Sequence, residues 1–120
     1  MGDHPDQIRL AINGAAGRMG QRLVALGSEN PQLEIVAALD SEAHPQFGND
    51  AGTVAGVGPL GVTVSDTLPE DVDVVIDFSV PKGTQRIVEL CLERGVPLVV
   101  ATTGLDESQQ ALLKEASKKI

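Results

Sequence analysis

Four short segments of the chain are almost continuously apolar and rich in branched side chains. Runs of this length, bounded by turn-forming residues, are typical of strands that are covered on both faces of a sheet. They predict strands at residues 8–12, 33–39, 72–78 and 98–101. A shorter apolar run predicts one more strand, at residues 62–64. The glycine-rich stretch before it, residues 41–61, predicts a loop with at most one helical turn.

Between these strands, apolar residues recur at helical spacing. A first helix is predicted from residue 17 or 18 to about residue 28. Pro81 suits the first position of a second helix, and Gly95 suits its C-terminal cap. A third helix is predicted after Asp106, which with Gln109 has capping-box spacing, and it ends in two lysines.

The alternation of strands and helices predicts the fold class. Parallel strands joined by right-handed helical crossovers give an α/β doubly wound sheet in three layers. The 120 residues are enough for one domain and too few for two. We therefore expect a single domain over residues 1–120.

Composition excludes several classes of function. The formal net charge of -8 argues against binding to nucleic acid or to an anionic membrane surface, and the chain has no Trp or Tyr for base stacking. Cys91, the single cysteine, excludes an internal disulfide, favours a reducing compartment, and is expected to be a buried, inert thiol. Neither a signal peptide nor a membrane span is recognisable, so a cytoplasmic location is expected.

The segment GAAGRMG at residues 14–20 carries the strongest chemical signal. It lies between the first predicted strand and the first predicted helix. Gly14 permits a tight turn, Gly17 lets the backbone approach a pyrophosphate, and Gly20 lets the helix pack closely on the sheet. The helix N-terminus offers N–H groups and a positive dipole end to phosphates, and Arg18 adds a cation. This context predicts a Rossmann-type dinucleotide-binding domain.

An acid follows at the position that such a site requires. Asp40 ends the second predicted strand, 20 residues after Gly20, where a carboxylate accepts hydrogen bonds from the adenosine ribose. The alternative is a glycine-rich turn with an unrelated surface acid that caps a strand.

The carboxyl ends of the later predicted strands should line the same crevice. There Ser79, Thr102 and Thr103 offer hydroxyls, and Phe78 offers a face for a flat ring. The alternative is that Ser79 and Thr103 cap helices while Phe78 belongs to the core. Asp77 is expected to be structural, bonded to nearby loop amides. No metal site is expected, because His4 and His44 lack partners at metal-ligand spacing.

Three blocks in this order, GAAGRMG, DFSVPKGT and TTG, together resemble the N-terminal half of bacterial dihydrodipicolinate reductase, now called 4-hydroxy-tetrahydrodipicolinate reductase. The resemblance covers residues 8–120. It implies an NAD(P)H-dependent oxidoreductase of the diaminopimelate route to lysine, which passes a hydride to its cyclic substrate to form tetrahydrodipicolinate. Two alternatives stay open at this point: another two-domain dehydrogenase of the aspartate or homoserine type, and a non-catalytic dinucleotide sensor.

The resemblance also assigns residues. It implies that Asp40 binds the adenosine ribose, whereas the cofactor contacts expected of Phe78 and Ser79 rest on their position at the end of a predicted strand. It places the nicotinamide end beside Ala101, Thr102 and Thr103. It places the pyrophosphate on Gly14, Ala15, Ala16, Gly17, Arg18 and Met19.

The family's C-terminal domain carries a His-His-x-x-x-Lys block, the substrate site and the homotetramer interface, and none of these is present in the 120 residues. No catalytic residue is therefore assigned, and we expect cofactor binding without turnover. Many members follow the ribose acid with an arginine that faces a 2′-phosphate, where this chain has Ser41. NADH is therefore expected to be preferred, with NADPH possible through Arg18.

Overall fold

Five parallel strands form one sheet in the computed structural model, which describes residues 8–78 and 81–100. In chain order the strands are β1 (Ile8–Asn13), β2 (Leu33–Leu39), β3 (Val64–Ser65), β4 (Val74–Asp77) and β5 (Leu98–Val100). Their order across the sheet is β3-β2-β1-β4-β5. The chain winds outward from β1 in one direction and then from β4 in the other, so the strand order reverses between β1 and β4. Ligand crevices of open α/β sheets lie at the carboxyl ends of the strands at such a reversal.

Helices cover both faces of this sheet. They are α1 (Arg18–Glu29), α2 (Ala51–Val54) and α3 (Pro81–Arg94). Alternate residues of β1 enter different cores: Ile12 packs with Val24 of α1, whereas Ala11 packs with Ile87 of α3. The strands are apolar on both faces because each face is buried. The predicted three-layer, doubly wound fold is confirmed.

The second core contains the single thiol. Cys91 of α3 is fully buried, and burial raises its pKa to about 11. Gly95 follows α3 with a φ of 68°, and the Val96 N–H donates to the Cys91 carbonyl at 3.0 Å. The predictions of a buried thiol at Cys91 and of a capping glycine at Gly95 are both confirmed. No helix within the described ranges has the length and apolarity needed to cross a membrane.

The third predicted strand is displaced along the chain. Residues 62–64 were expected, but β3 comprises Val64 and Ser65, while Thr63 forms an isolated antiparallel bridge with Asp50. The Val62 carbonyl accepts from Ala51, and its N–H donates to the Asp50 carboxylate. Val62 is thus hydrogen-bonded to Asp50 and Ala51, and the pairing with β2 begins only at Val64.

Asp50 organises the loop that precedes β3. Its carboxylate accepts hydrogen bonds from the backbone N–H groups of four residues: Thr53 at 3.0 Å, Leu60 at 3.0 Å, Gly61 at 2.8 Å and Val62 at 3.2 Å. These bonds, the one from Leu60 first, lower its pKa to about 2. The loop holds one short helix, α2, as predicted.

Two further differences are small. β4 begins at Val74 although residue 72 was expected, because Val72 packs into the core ahead of the strand without joining its ladder. β1 extends one residue further, to Asn13. The helix predicted after Asp106 lies outside the described residues, as does Ala101 at the end of the last predicted strand.

Candidate active site

The turn after β1 connects the carboxyl ends of two strands. Gly14 has a φ of 84°, a conformation in which a side chain is strained. The N–H groups of Gly14 and Ala15 donate to the Leu39 carbonyl at 2.8 and 3.0 Å. The turn is thereby fixed against the end of β2, at the edge of the sheet where a ligand would bind.

Gly20 sets how closely α1 can approach this turn. A Cβ at this position would lie 1.9 Å from the Gly14 oxygen and 2.7 Å from the Ala15 Cα. Both are backbone atoms, so no side-chain rotation could relieve the overlap. The predicted need for glycine in close helix–sheet packing is confirmed at Gly20.

The N-terminus of α1 has features that suit an anion. Its N-cap is Gly17, which supplies no side-chain hydrogen bond, and the first turn contains no acidic residue. The N–H groups there are therefore neither capped by a side chain nor opposed by a carboxylate of the helix. A Cβ on Gly17 would lie 3.3 Å from the Gly14 oxygen, which is a tight contact. Because neither Gly14 nor Gly17 has a side chain, the backbone is the part of these residues that faces a ligand.

The Asp40 carboxylate is held between the turn and the loop after β2. One of its oxygens accepts from the Ala16 N–H at 3.0 Å, and the other from the Ser41 N–H at 2.7 Å. Its own N–H donates to the Ser65 carbonyl at 2.9 Å, which ties it to β3. Each carboxylate oxygen can accept a second hydrogen bond, so this fixed group still has acceptor sites for hydroxyls.

The buried carboxylate of Asp77 supports the elements that carry the site. Asp77, fully buried at the end of β4, accepts hydrogen bonds from the Asn13 side-chain amide at 2.9 Å and from the Thr84 hydroxyl. The Asn13 amide also donates to the Gly83 carbonyl at 3.2 Å. Asp77 thus joins β1, β4 and the first turns of α3. A structural role was expected, but the sequence did not identify these two side-chain partners.

A cleft of roughly 790 Å³ opens at the carboxyl ends of the strands. Four of the residues predicted to bind cofactor line it together: Gly14, Gly17, Asp40 and Phe78. The structure therefore brings the glycine turn, Asp40 and the aromatic residue Phe78 to one cavity.

Other predicted residues lie elsewhere. Ala15 and Ala16 are buried, whereas Arg18 and Met19 are exposed, and none of the four lines the cleft. Ser79, Ala101, Thr102 and Thr103 lie outside the described residues.

Much of the cleft wall consists of residues that were not predicted to bind cofactor. On α3 the lining residues are spaced three, four and seven apart, which places them along one helix face. In the sequence, Ile87 and Leu90 were expected to belong to the core, and no role was predicted for Gly83 or Arg86. The additional lining residues are Asn13, Leu39, Glu42, His44, Asp66, Gly83, Arg86, Ile87 and Leu90, together with Ser41.

Charge is unevenly distributed over this wall. Asp40, Glu42 and Asp66 contribute carboxylates, and Arg86 contributes a guanidinium. Arg86 lies 3.8 Å from the Asp66 carboxylate and donates to the Asp66 backbone carbonyl at 3.2 Å. His44 accepts a hydrogen bond on Nδ1 from the Gln46 N–H at 3.0 Å.

Solved structures share this fold. A dipicolinate-bound dihydrodipicolinate reductase from Paenisporosarcina sp. TG-14 matches with a TM-score of 0.64 and 28% identity, over 93% of this chain and 42% of that one. A myo-inositol dehydrogenase from Corynebacterium glutamicum matches with a TM-score of 0.67 and 24% identity, over 94% of this chain and 34% of that one. An aspartate semialdehyde dehydrogenase with NADP from Candida albicans matches with a TM-score of 0.66 and 23% identity, over 81% and 30%. The last two likenesses concern the fold alone.

Sequence comparison gives the family. A 4-hydroxy-tetrahydrodipicolinate reductase from Rhodopirellula baltica is 44% identical over the whole chain, which spans 45% of that relative's length. The family model described as dihydrodipicolinate reductase, N-terminus, matches residues 8–120. The chain therefore belongs to the dihydrodipicolinate reductase family and corresponds to its N-terminal part.

Proposed function

We propose that these 120 residues form the nicotinamide-dinucleotide-binding half of a 4-hydroxy-tetrahydrodipicolinate reductase. The observation that carries the proposal is that the glycine turn, Asp40 and Phe78 line the same cleft. The cleft also lies where the strand order reverses, the usual position for a dinucleotide in such sheets. Family membership gives the reaction class: hydride transfer that forms tetrahydrodipicolinate in lysine biosynthesis.

The local structure fits each part of the cofactor. The uncapped start of α1 and the side-chain-free surface at Gly14 and Gly17 suit a pyrophosphate. The fixed Asp40 carboxylate suits the vicinal hydroxyls of the adenosine ribose. When bound, the nicotinamide would supply the hydride. The assignments of Ala15, Ala16, Arg18, Met19, Ala101, Thr102 and Thr103 rest on the family resemblance, and that of Ser79 rests on its position after a predicted strand.

We further propose that the site prefers NADH to NADPH. The 2′-phosphate of NADPH would enter a region with carboxylates at Asp40, Glu42 and Asp66. Arg86 offsets only part of this charge, because Asp66 already pairs with it. Ser41, which follows Asp40, has no charge to add. Repulsion between these carboxylates and a 2′-phosphate would raise the free energy of binding the phosphorylated cofactor.

Turnover should require more than these residues. Hydride transfer needs the substrate held in a reactive geometry against the nicotinamide. In the family this task belongs to the His-His-x-x-x-Lys block of the other half. We therefore expect the 120-residue chain to bind cofactor and to show no reductase activity by itself.

Titration with NADH and NADPH tests the proposal. The chain lacks Trp, so the reduced cofactor's own fluorescence is followed and binding heats are measured in parallel. We expect saturable NADH binding, weaker NADPH binding, and loss of both in Gly17→Val, whose side chain would occupy the pyrophosphate surface. Ala25→Val adds comparable bulk to the same helix away from the cleft and should bind normally. Equal binding by Gly17→Val and wild type would contradict the assignment.

A further inference from the structure

Arg86 and Asp66 form a pair that no motif of the chain predicts. Arg86 lies on α3, and Asp66 follows the last residue of β3. Besides the 3.8 Å ion pair, the guanidinium donates to the Asp66 carbonyl, so its position is fixed by two contacts with one residue. Both residues line the cleft. The pair therefore connects α3 to the loop after β3 at the wall of the proposed cofactor site.

The register of the sheet places this pair beside Asp40. β2 and β3 are parallel, with Leu39 opposite Ser65, and the Asp40 N–H donates to the Ser65 carbonyl. Asp66 follows Ser65 as Asp40 follows Leu39. The two carboxylates thus leave neighbouring strands at the same edge of the sheet, and Arg86 reaches the adenosine end of the site through Asp66.

Arg86 retains the capacity to bind an anion. Its contacts with Asp66 involve a single nitrogen, Nη2, whereas a guanidinium carries five N–H donors. Its side chain is 60% exposed, so a phosphate could approach it. Among the described residues that line the cleft, Arg86 is the one Arg or Lys. Arg18, the cation expected from the sequence, does not line it.

We propose that the Asp66–Arg86 pair determines cofactor specificity at the 2′ position of the adenosine ribose. Arg86 supplies the positive charge that a 2′-phosphate meets, and Asp66 holds and partly neutralises that charge. With Asp66 in place, the negative charge of Asp40 and Glu42 dominates, and NADH is favoured. This inference rests on the proposed function, because it requires the dinucleotide to occupy the cleft.

Two single variants and their combination test the pair. The dissociation constants of NADH and NADPH are measured for wild type, Asp66→Asn, Arg86→Gln and the double variant. Asp66→Asn should free Arg86 and raise NADPH affinity relative to NADH roughly five-fold. Arg86→Gln should lower that ratio by a similar factor, and in the double variant the gain should disappear. Because the pair is partly exposed, the gain should shrink at high salt.

Arg94→Gln is the matched control. Arg94 is an arginine of the same helix that donates to the carbonyls of Leu68 and Pro69, in the loop that follows Asp66, and it does not line the cleft. Removing it tests the structural effect of losing a helix-to-loop contact. The NADPH-to-NADH ratio should stay at the wild-type value.

The outcomes separate this inference from the proposed function. If wild type binds NADH but both single variants keep its cofactor ratio, the inference is overturned and the proposed function stands. Equal losses of NADH and NADPH affinity in Arg86→Gln, with a lowered melting temperature, would show a purely structural contact and also overturn it. If wild type binds neither cofactor, the proposed function fails and the inference fails with it.

Discussion

The two ends of the proposed cofactor site are built in different ways. The pyrophosphate end is formed by backbone at Gly14 and Gly17, within one seven-residue segment in which Gly20 permits an approach that any side chain would block. The adenosine end is made of side chains from the loops after β2 and β3 and from α3. A local backbone device is visible as a motif. A charge pattern assembled from distant segments becomes visible only when the sheet places them side by side.

The largest expected effect tests the backbone end. Gly20→Ala forces a Cβ into the Gly14 carbonyl and should lower the free energy of unfolding by about 3 kcal/mol. Gly27→Ala, on the same helix, meets only side-chain atoms, of Ile35 at 3.1 Å and of Leu10 at 3.8 Å, and should stay within about 1 kcal/mol of wild type. Urea unfolding of both variants measures the difference. Similar stabilities of the two would mean that α1 can shift at no cost, and the contrast between the two ends would be lost.

The support beneath the site should be the next most sensitive. Thr84→Val keeps the shape of a fully buried side chain and removes the hydroxyl that donates to the buried Asp77. We expect a loss of about 1–3 kcal/mol in the free energy of unfolding, because a buried carboxylate loses a hydrogen bond. Thr63→Val, at an exposed position, is the control and should be nearly neutral. A neutral Thr84→Val would indicate that other groups satisfy Asp77 fully.

Asp40 tests the adenosine end by binding. Asp40→Asn removes the charge that accepts hydrogen bonds from ribose hydroxyls, so the NADH dissociation constant should rise about ten-fold. NADPH should lose less affinity, because its 2′-phosphate is no longer repelled. Calorimetric titrations with both cofactors measure this, with Glu34→Gln, an exposed residue of the preceding strand β2, as the control. Equal losses for both cofactors would remove the electrostatic argument for NADH preference.

The smallest expected effect is a change of stability in acid and concerns Asp50, whose single side chain orders backbone up to 12 residues away. Its pKa in the folded chain is about 2, below the ordinary value of 3.8, so its stabilising contribution is present above about pH 4. The contribution is lost as the pH falls from 4 towards 2. Thermal unfolding across this range should show a steeper loss of stability for wild type than for Asp50→Asn. Parallel curves for the two proteins would contradict this.

Particular residues show how far the sequence leads. Strand β2 matches its prediction at both ends, because its apolar run is buried on both faces and polar residues flank it on either side. Gly14, Gly20 and Gly95 are likewise explained by local backbone geometry. The register of β3 could not be predicted, because it depends on hydrogen bonds between Asp50 and a segment ten or more residues later.

The cleft residues of α3 show the other limit. Helical periodicity identifies Ile87 and Cys91 as buried, and both are. It does not reveal that Arg86, one position earlier, extends to the loop after β3. Pairing across the sheet decides that contact, and no local pattern encodes it. The fold and the glycine turn were therefore predictable, whereas the charges that would select the cofactor were not.

The central claim is that a dinucleotide binds in this cleft with its pyrophosphate at the glycine turn and its adenosine beside Asp40. Amide ¹H–¹⁵N spectra of the chain during titration with NADH test this most directly. We expect the largest shift changes at Gly14, Gly17, Ser41 and Gly83, with little change at the exposed face of α1. Saturating changes confined to other surfaces, or no changes at all, would contradict the account.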